Sequence, residues 1–393
     1  MAGSGSAQSW ALLAALGVAA AARAVGCGPV GPPEPTDNFD RAALLASLVD
    51  EVYTPAFTGF ATDAASLRQA VDAWAASGDG GALSDARVAF TEAMFAWQQL
   101  EVMQLGPLAS SLATDDGEDL RDQLYSWPTV NPCTVDQALV ANEFLEPGFF
   151  DAQLVLGRGL DALEYVLFHD GPDNQCSPQL AINTDGTWDA VGDVELAERR
   201  RAYAAAAARD VEVSAQAAGN VWTTGGFGLE LRAPGEPGSR YLDAAEALDA
   251  IYEALFFVET VSKDLKLGVP MGLVEGAEGI DAEALELLWA GGQMEAVGAN
   301  LDGFRAVFDG GAVGFDDFLI ELDQQALSDA VFAALDDIQL AIDDAPRPLR
   351  LRLDDPAAVA VFTEMQVLGD LLKGDLALVL NLTIPSDAAG DAD

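Results

Sequence analysis

The chain has 393 residues, with 64 Asp and Glu against 19 Lys and Arg, one histidine, and a net charge of -45. That balance argues against nucleic acid as a partner, because phosphate backbones are bound by cationic surfaces. It also argues against contact with an anionic membrane other than through an anchor. Half of the residues are hydrophobic, so the chain folds around a core, and most of its acids read as a solvated surface.

Residues 10–22 form an Ala- and Leu-rich apolar run too short to span a bilayer. Ala24-Val25-Gly26 then precede Cys27, and Gly28-Pro-Val-Gly-Pro-Pro-Glu-Pro follows as a stiff tether. This reads as an export signal over 1–26 ending in a lipoprotein box, with Cys27 as the acylated first residue and 27–38 as the tether. A plainly cleaved signal peptide is the alternative, since no basic residue precedes Trp10 and Ala24 stands where Leu is usual. In a Gram-negative cell, Gly28 after the cysteine directs such a protein to the periplasmic face of the outer membrane.

Helical periodicity dominates from there on. Asp37 or Asn38 is placed to cap a helix over 39–58, and further helices are expected over 63–77, 85–105, 117–125, 135–145 and 149–168. Residues 169–191 read as irregular, and a long Ala-rich helix follows over 193–222. Gly, Pro and small polar residues crowd 223–239, the best domain boundary. Four long helices over 241–267, 281–308, 315–343 and 356–382 then suit a four-helix bundle. The expected fold is all-α, with two helical-bundle domains over 39–224 and 240–393 and a linker over 225–239. Similar helix counts in the two halves suggest a duplication, although no sequence repeat is evident.

Apart from Cys27 the chain holds only Cys133 and Cys176, each in a turn-like context: Asn131-Pro132-Cys133 and Asn174-Gln175-Cys176-Ser177-Pro178. In an oxidising compartment this pair is expected to close a disulfide between segments flanking the 149–168 helix; two separate buried thiols are the alternative.

The most informative stretch is Gly157-Arg-Gly-Leu-Asp161-Ala-Leu-Glu164-Tyr-Val-Leu-Phe168. Asp161 and Glu164 lie three residues apart and share a helix face. Apolar residues occupy nearly every other side, which marks a buried helix. Two carboxylates there are costly unless protonated, hydrogen-bonded or bound to a cation. No nucleophile elbow, P-loop, dinucleotide fingerprint or Cys-x-x-Cys pair occurs, and no catalytic residue is assigned.

Five motifs follow one another along nearly the whole chain. They are Trp97-Gln-Gln-Leu-Glu101 ending in Leu105-Gly106-Pro107, Tyr125-Ser-Trp127-Pro128 with Val135-Asp136, Gly159-Leu-Asp161-Ala-Leu-Glu164, Lys266-Leu-Gly-Val-Pro270-Met-Gly272, and the tail from Leu380. In this order they resemble the imelysin-like family, the peptidase M75 group that includes iron-regulated and insulin-cleaving proteins of bacterial envelopes. The resemblance implies two helical bundles with a site near their junction, an envelope location, and a link to iron acquisition or metal binding. Asp161 stands where the family motif has histidine, and the only histidine of the chain is His169. A zinc peptidase ordinarily needs imidazole ligands, so the chain resembles branches regarded as non-peptidases.

On this reading Asp161 and Glu164 are candidate oxygen ligands for a hard cation such as Fe³⁺ or Ca²⁺, completed by Glu101 and then Asp136. Trp97, Trp127 and Lys266 are expected to line the site. The competing expectation pairs the two acids with Arg158 or Arg121 to hold the bundle. Trp127-Pro128 reads equally as a helix stop, Lys266 as a helix C-terminal lysine facing the macrodipole, and His169 as a helix-terminal surface residue. Expected function is metal or small-ligand binding in envelope iron acquisition, with an iron-uptake partner and a lipid-anchored membrane contact. A metal-dependent peptidase and a partner-binding lipoprotein with structural acids are the alternatives.

Overall fold

A stripe of apolar residues at Phe57, Phe60, Ala64, Leu67, Val71 and Trp74 runs unbroken past Gly59, and this stripe shapes the first element. The computed structural model, which describes residues 37–111, 117–129, 131–224, 226–385 and 388, starts it at Arg41–Ser47. There the Asp40 carboxylate accepts from Ala43 N at 3.0 Å as N-cap. The helix widens into a π-helical stretch, Leu48–Tyr53, and continues as Thr54–Ser77. The break expected between 58 and 63 is absent. One interior glycine costs a helix about 1 kcal/mol, less than the burial of the large side chains on either side returns. The break between the helices expected over 63–77 and 85–105 is present, with Gly78 left-handed at the C-cap.

Among the described residues every regular element is helical, and the fold is all-α. Thr54–Ser77 packs against Gly80–Leu100 and Asp193–Trp222, and the short helix Gly159–Phe168 lies on the latter two. Aromatic residues fill this group, with Tyr53 stacked on Trp222 at 4.6 Å and Trp97 against Phe60 at 5.3 Å. A second group comprises the π-helical Val258–Gly268 with Gln293–Asp309, Gln325–Asp344 and Pro356–Leu371. Phe39–Asp393 form one compact unit. Gln293–Asp309 is the main bridge between the groups, lying along Gly80–Leu100. Gly303 permits that approach, since a Cβ there would sit 2.1 Å from the Gln99 carbonyl oxygen.

Four of the expected helices are interrupted. The 149–168 segment divides into Phe149–Ala152, a 3₁₀ turn Val155–Gly157, and Gly159–Phe168. Gly159 has φ +77°, and a Cβ on it would lie 2.6 Å from the Leu124 carbonyl oxygen, so only glycine fits this start. The 241–267 segment is α-helical over Ala244–Leu255 and π-helical from Val258. The 281–308 segment is a 3₁₀ turn, Ala282–Ala284, and a non-helical stretch before Gln293. The 315–343 segment divides at 322–324 into Phe315–Glu321 and Gln325–Asp344.

Cys133 and Cys176 form a disulfide across 43 residues, as expected from cysteine usage. No helix among the described residues is long and apolar enough to cross a bilayer. The expected export signal and Cys27 lie outside the described residues.

Candidate functional site

The Gly159–Phe168 helix is buried along almost its whole length, and Asp161 and Glu164 are each only 6% exposed. Both line a cavity of about 510 Å³, a size suited to a small molecule. Trp127, the cis Pro128, Val135 and Tyr165 form one side; Leu265, Val269, Leu287, Leu288 and Trp289 form the other. No Lys, Arg or His among the described residues lines it.

Each acid is held by backbone. Asp161 Oδ2 accepts from Ser126 N at 2.7 Å and from the Ser126 hydroxyl at 2.8 Å, while Asp161 Oδ1 is buried with no hydrogen-bond partner. Glu164 Oε1 accepts from Trp289 N and Ala290 N, both at 2.8 Å. Those amides are free to donate because 285–292 is not helical. Burial pushes the Asp161 carboxyl up to about 7, against the lowering effect of the Ser126 bonds and Arg121. Burial pushes Glu164 up to about 8, with the two amide bonds opposing and Asp161 and Glu286 adding to the rise.

Behind this pair lies a second polar cluster. Lys266, fully buried, donates to Gln98 Oε1, to Glu101 Oε2 at 2.6 Å and to Asn300 Oδ1 at 3.0 Å, and pairs with Glu286 Oε1 at 3.0 Å. Glu286 Oε1 also accepts from Gln98 Nε2 at 3.0 Å and from the Tyr125 hydroxyl at 2.9 Å. Arg121 Nη2 lies 3.3 Å from Glu101 Oε1 and also binds the Trp127 carbonyl. The π-helical stretch carries Ser262 and Lys266 to the same Asn300 oxygen, and such stretches frequently serve functional positions. The two cations therefore compensate Glu101 and Glu286, and Asp161 and Glu164 have no cation in direct contact.

These placements revise the sequence expectations. Asp161 and Glu164 share the cleft, and Trp127 lines it. Glu101 is committed to Lys266 and Arg121 behind it. Asp136 accepts from the Tyr165 hydroxyl at 2.9 Å and from Gln175 N at 2.7 Å, and does not line the cavity. Burial pushes its carboxyl up to about 6. Trp97 is a core residue with no exposure, and Lys266 is buried in the ion cluster. Arg158 is occupied by Asp210, at 2.7 Å, and holds neither acid. His169 ends its helix stacked on Tyr165 at 5.0 Å and edge-on to Trp289 at 4.6 Å, and burial lowers its pKa. Among the described residues no three His, Cys, Asp or Glu side chains group as a metal site, so the four-carboxylate set does not fit a caged hard cation.

Glu286 and Asn300 were missed by sequence reasoning, and Tyr125 and Ser126 were singled out only as members of the Tyr125-Ser-Trp127-Pro128 motif. For Glu286 a signal was present: a lone acid in Leu285-Glu-Leu-Leu-Trp-Ala, closed by Gly291-Gly292, suits a buried turn better than a helix.

The imelysin family model matches residues 53–373. The chain belongs to the imelysin family. No curated protein matches the chain in sequence. Two solved structures are similar in fold. One is an imelysin-like protein from Psychrobacter arcticum, with TM-score 0.70 and 16% identity over 89% of this chain and 99% of that one. The other is described as an iron-regulated protein A precursor from Parabacteroides distasonis, with TM-score 0.67 and 18% identity over 86% of this chain and 96% of that one. In this imelysin-family member the motif glycine, Gly159, sets the helix start, and the motif glutamate, Glu164, ties it to the 285–292 turn.

Proposed function

We propose that this imelysin-family protein is a ligand-binding protein of the cell envelope, acting in iron or metal acquisition, with the Asp161–Glu164 cleft as its binding site. The observation that carries the reading is Asp161 Oδ1, buried, unpartnered, and belonging to a residue that lines the cavity. A buried acceptor without a donor costs about 1–3 kcal/mol, and a ligand donor or cation removes that cost. The envelope location is supported by the disulfide, by the signal-like N-terminus that leads to Cys27, and by the word precursor in the name of one structural relative. The iron context rests on the same relative's name.

The test is native mass spectrometry and elemental analysis of the full chain purified from envelopes, beside the Asp161→Asn/Glu164→Gln double variant. A bound species lost in the folded double variant is the expected result. A double variant that retains every bound species and changes only in stability makes the acids structural and refutes the reading. Peptide hydrolysis abolished by Glu164→Gln alone replaces binding with catalysis.

A further inference from the structure

Resting on that reading, the chemistry of the cleft wall narrows the ligand. The polar side chains that line the cavity are Asn131, Gln175, Asp161, Glu164 and Glu283, together with Tyr165, whose hydroxyl is committed to Asp136, and Trp127 and Trp289. Glu283 is already paired with Arg350 at 2.8 Å. Asp161 and Glu164 remain as acids without an ion-pair partner. Each uses one oxygen to accept from fixed donors, Ser126 for Asp161 and the Trp289 and Ala290 amides for Glu164. Each retains a second oxygen: Asp161 Oδ1 is buried and unpartnered, and Glu164 Oε2 makes no hydrogen bond among the described residues.

Two free carboxyl oxygens on one helix face are too few for a hard metal ion, which takes six or more oxygens or keeps its waters. Asn131 Oδ1 is committed to Cys133 N, and the Gln175 amide oxygen with Trp127, Trp289 and the leucines beside them does not supply the rest. The same wall matches a different cation. Indole faces attract ammonium groups and pack against hydrocarbon, and the acids supply acceptors for the N–H donors.

We propose that the cleft takes a small organic cation, a primary ammonium on an apolar or aromatic body, with the ammonium between Asp161 and Glu164 and the body against Trp127 and Trp289. Specificity follows from the acceptors that lack a donor, Asp161 Oδ1 and Glu164 Oε2. A neutral analogue fills the same volume but offers one donor where the ammonium offers three.

The experiment is isothermal titration of the full chain with 2-phenylethylammonium, 2-phenylethanol, Ca²⁺ and Fe³⁺, repeated on Asp161→Asn and Glu164→Gln. Both variants keep the oxygen that accepts from the backbone, and circular dichroism verifies their folding. The expected result is saturable 1:1 binding of the ammonium, at least tenfold tighter than the alcohol, weakened at least tenfold in each variant. The wild-type comparison of ammonium with alcohol stands even where a variant fails to fold. Equal affinity for the alcohol and the ammonium overturns the proposal. Stoichiometric metal binding without ammonium binding, lost in the same variants, overturns the ammonium class and leaves the cleft as the binding site. Ammonium binding unchanged in both variants overturns the ammonium's placement and, with it, the reading of the cleft as the site.

Discussion

Glu164→Gln isolates the electrostatics of the cleft, because the amide oxygen continues to accept from Trp289 and Ala290 while the titrating proton is removed. Burial raises the Glu164 carboxyl from an ordinary 4.5 to about 8, so between those values the folded state holds a proton that the unfolded chain has lost. Stability therefore falls as pH rises through this window. The favourable contribution is complete below about 4.5, and the full cost of an ionised buried acid is reached above about 8. At 1.36 kcal/mol for each pH unit, the span from 4.5 to about 8 is worth about 5 kcal/mol, an upper figure since the cleft admits water. The variant matches the protonated wild type near pH 5 and carries no such loss at pH 9. Urea unfolding followed by circular dichroism at pH 5, 7 and 9 reads the difference, which is expected to shift in the variant's favour by several kcal/mol from pH 5 to 9. A difference constant within about 0.5 kcal/mol over that range refutes the argument, because Glu164 then titrates as an ordinary carboxyl.

Two further sets of substitutions test the frame around the cleft. Lys266→Met leaves Glu101 and Glu286 buried without their shared cation, and breaking a buried pair this way costs about 3–5 kcal/mol. Adding Glu101→Gln and Glu286→Gln is expected to recover a large part of that loss in urea unfolding, and no recovery means that the charge pairing is not the cause. Cys133→Ser with Cys176→Ser opens a loop of 43 residues, which chain entropy values at about 4 kcal/mol. The same loss is expected on reduction of the wild type, and equal midpoints with and without reductant contradict the assignment.

The helical class, the long helix 193–222, the disulfide and the buried acidic helix were legible because each depends on local pattern: periodicity, cysteine count, or charge within an apolar run. What sequence left hidden is which acid meets which cation. Glu101 and Lys266 are separated by 165 positions, and Gln98 and Glu286 by 188, distances over which no spacing rule operates. The same blindness produced the misplaced helix across 285–292. Its apolar residues fit a helical stripe, but Glu286 and the Trp289 and Ala290 amides are worth more as tertiary partners than as helix, and Gly291-Gly292 weaken the helical alternative further.

That unwound turn joins the fold to the site. Glu164 comes from the first group of helices and its two donors from the approach to Gln293–Asp309; Lys266 and Asn300 reach across from the second group to Glu101 and Gln98. Glu164 and Glu101 are therefore oriented by backbone amides or by a cation that are correctly placed only when both groups have packed, whereas Asp161 takes its donors from Ser126 within the first group. A helix bearing Asp161 and Glu164 alone would shed protons or find water, and the cleft would lose its fixed acceptors. Glu164 receives its hydrogen bonds from the turn that also carries Trp289, so any shift of 285–292 moves the donors that fix Glu164 and an aromatic wall together.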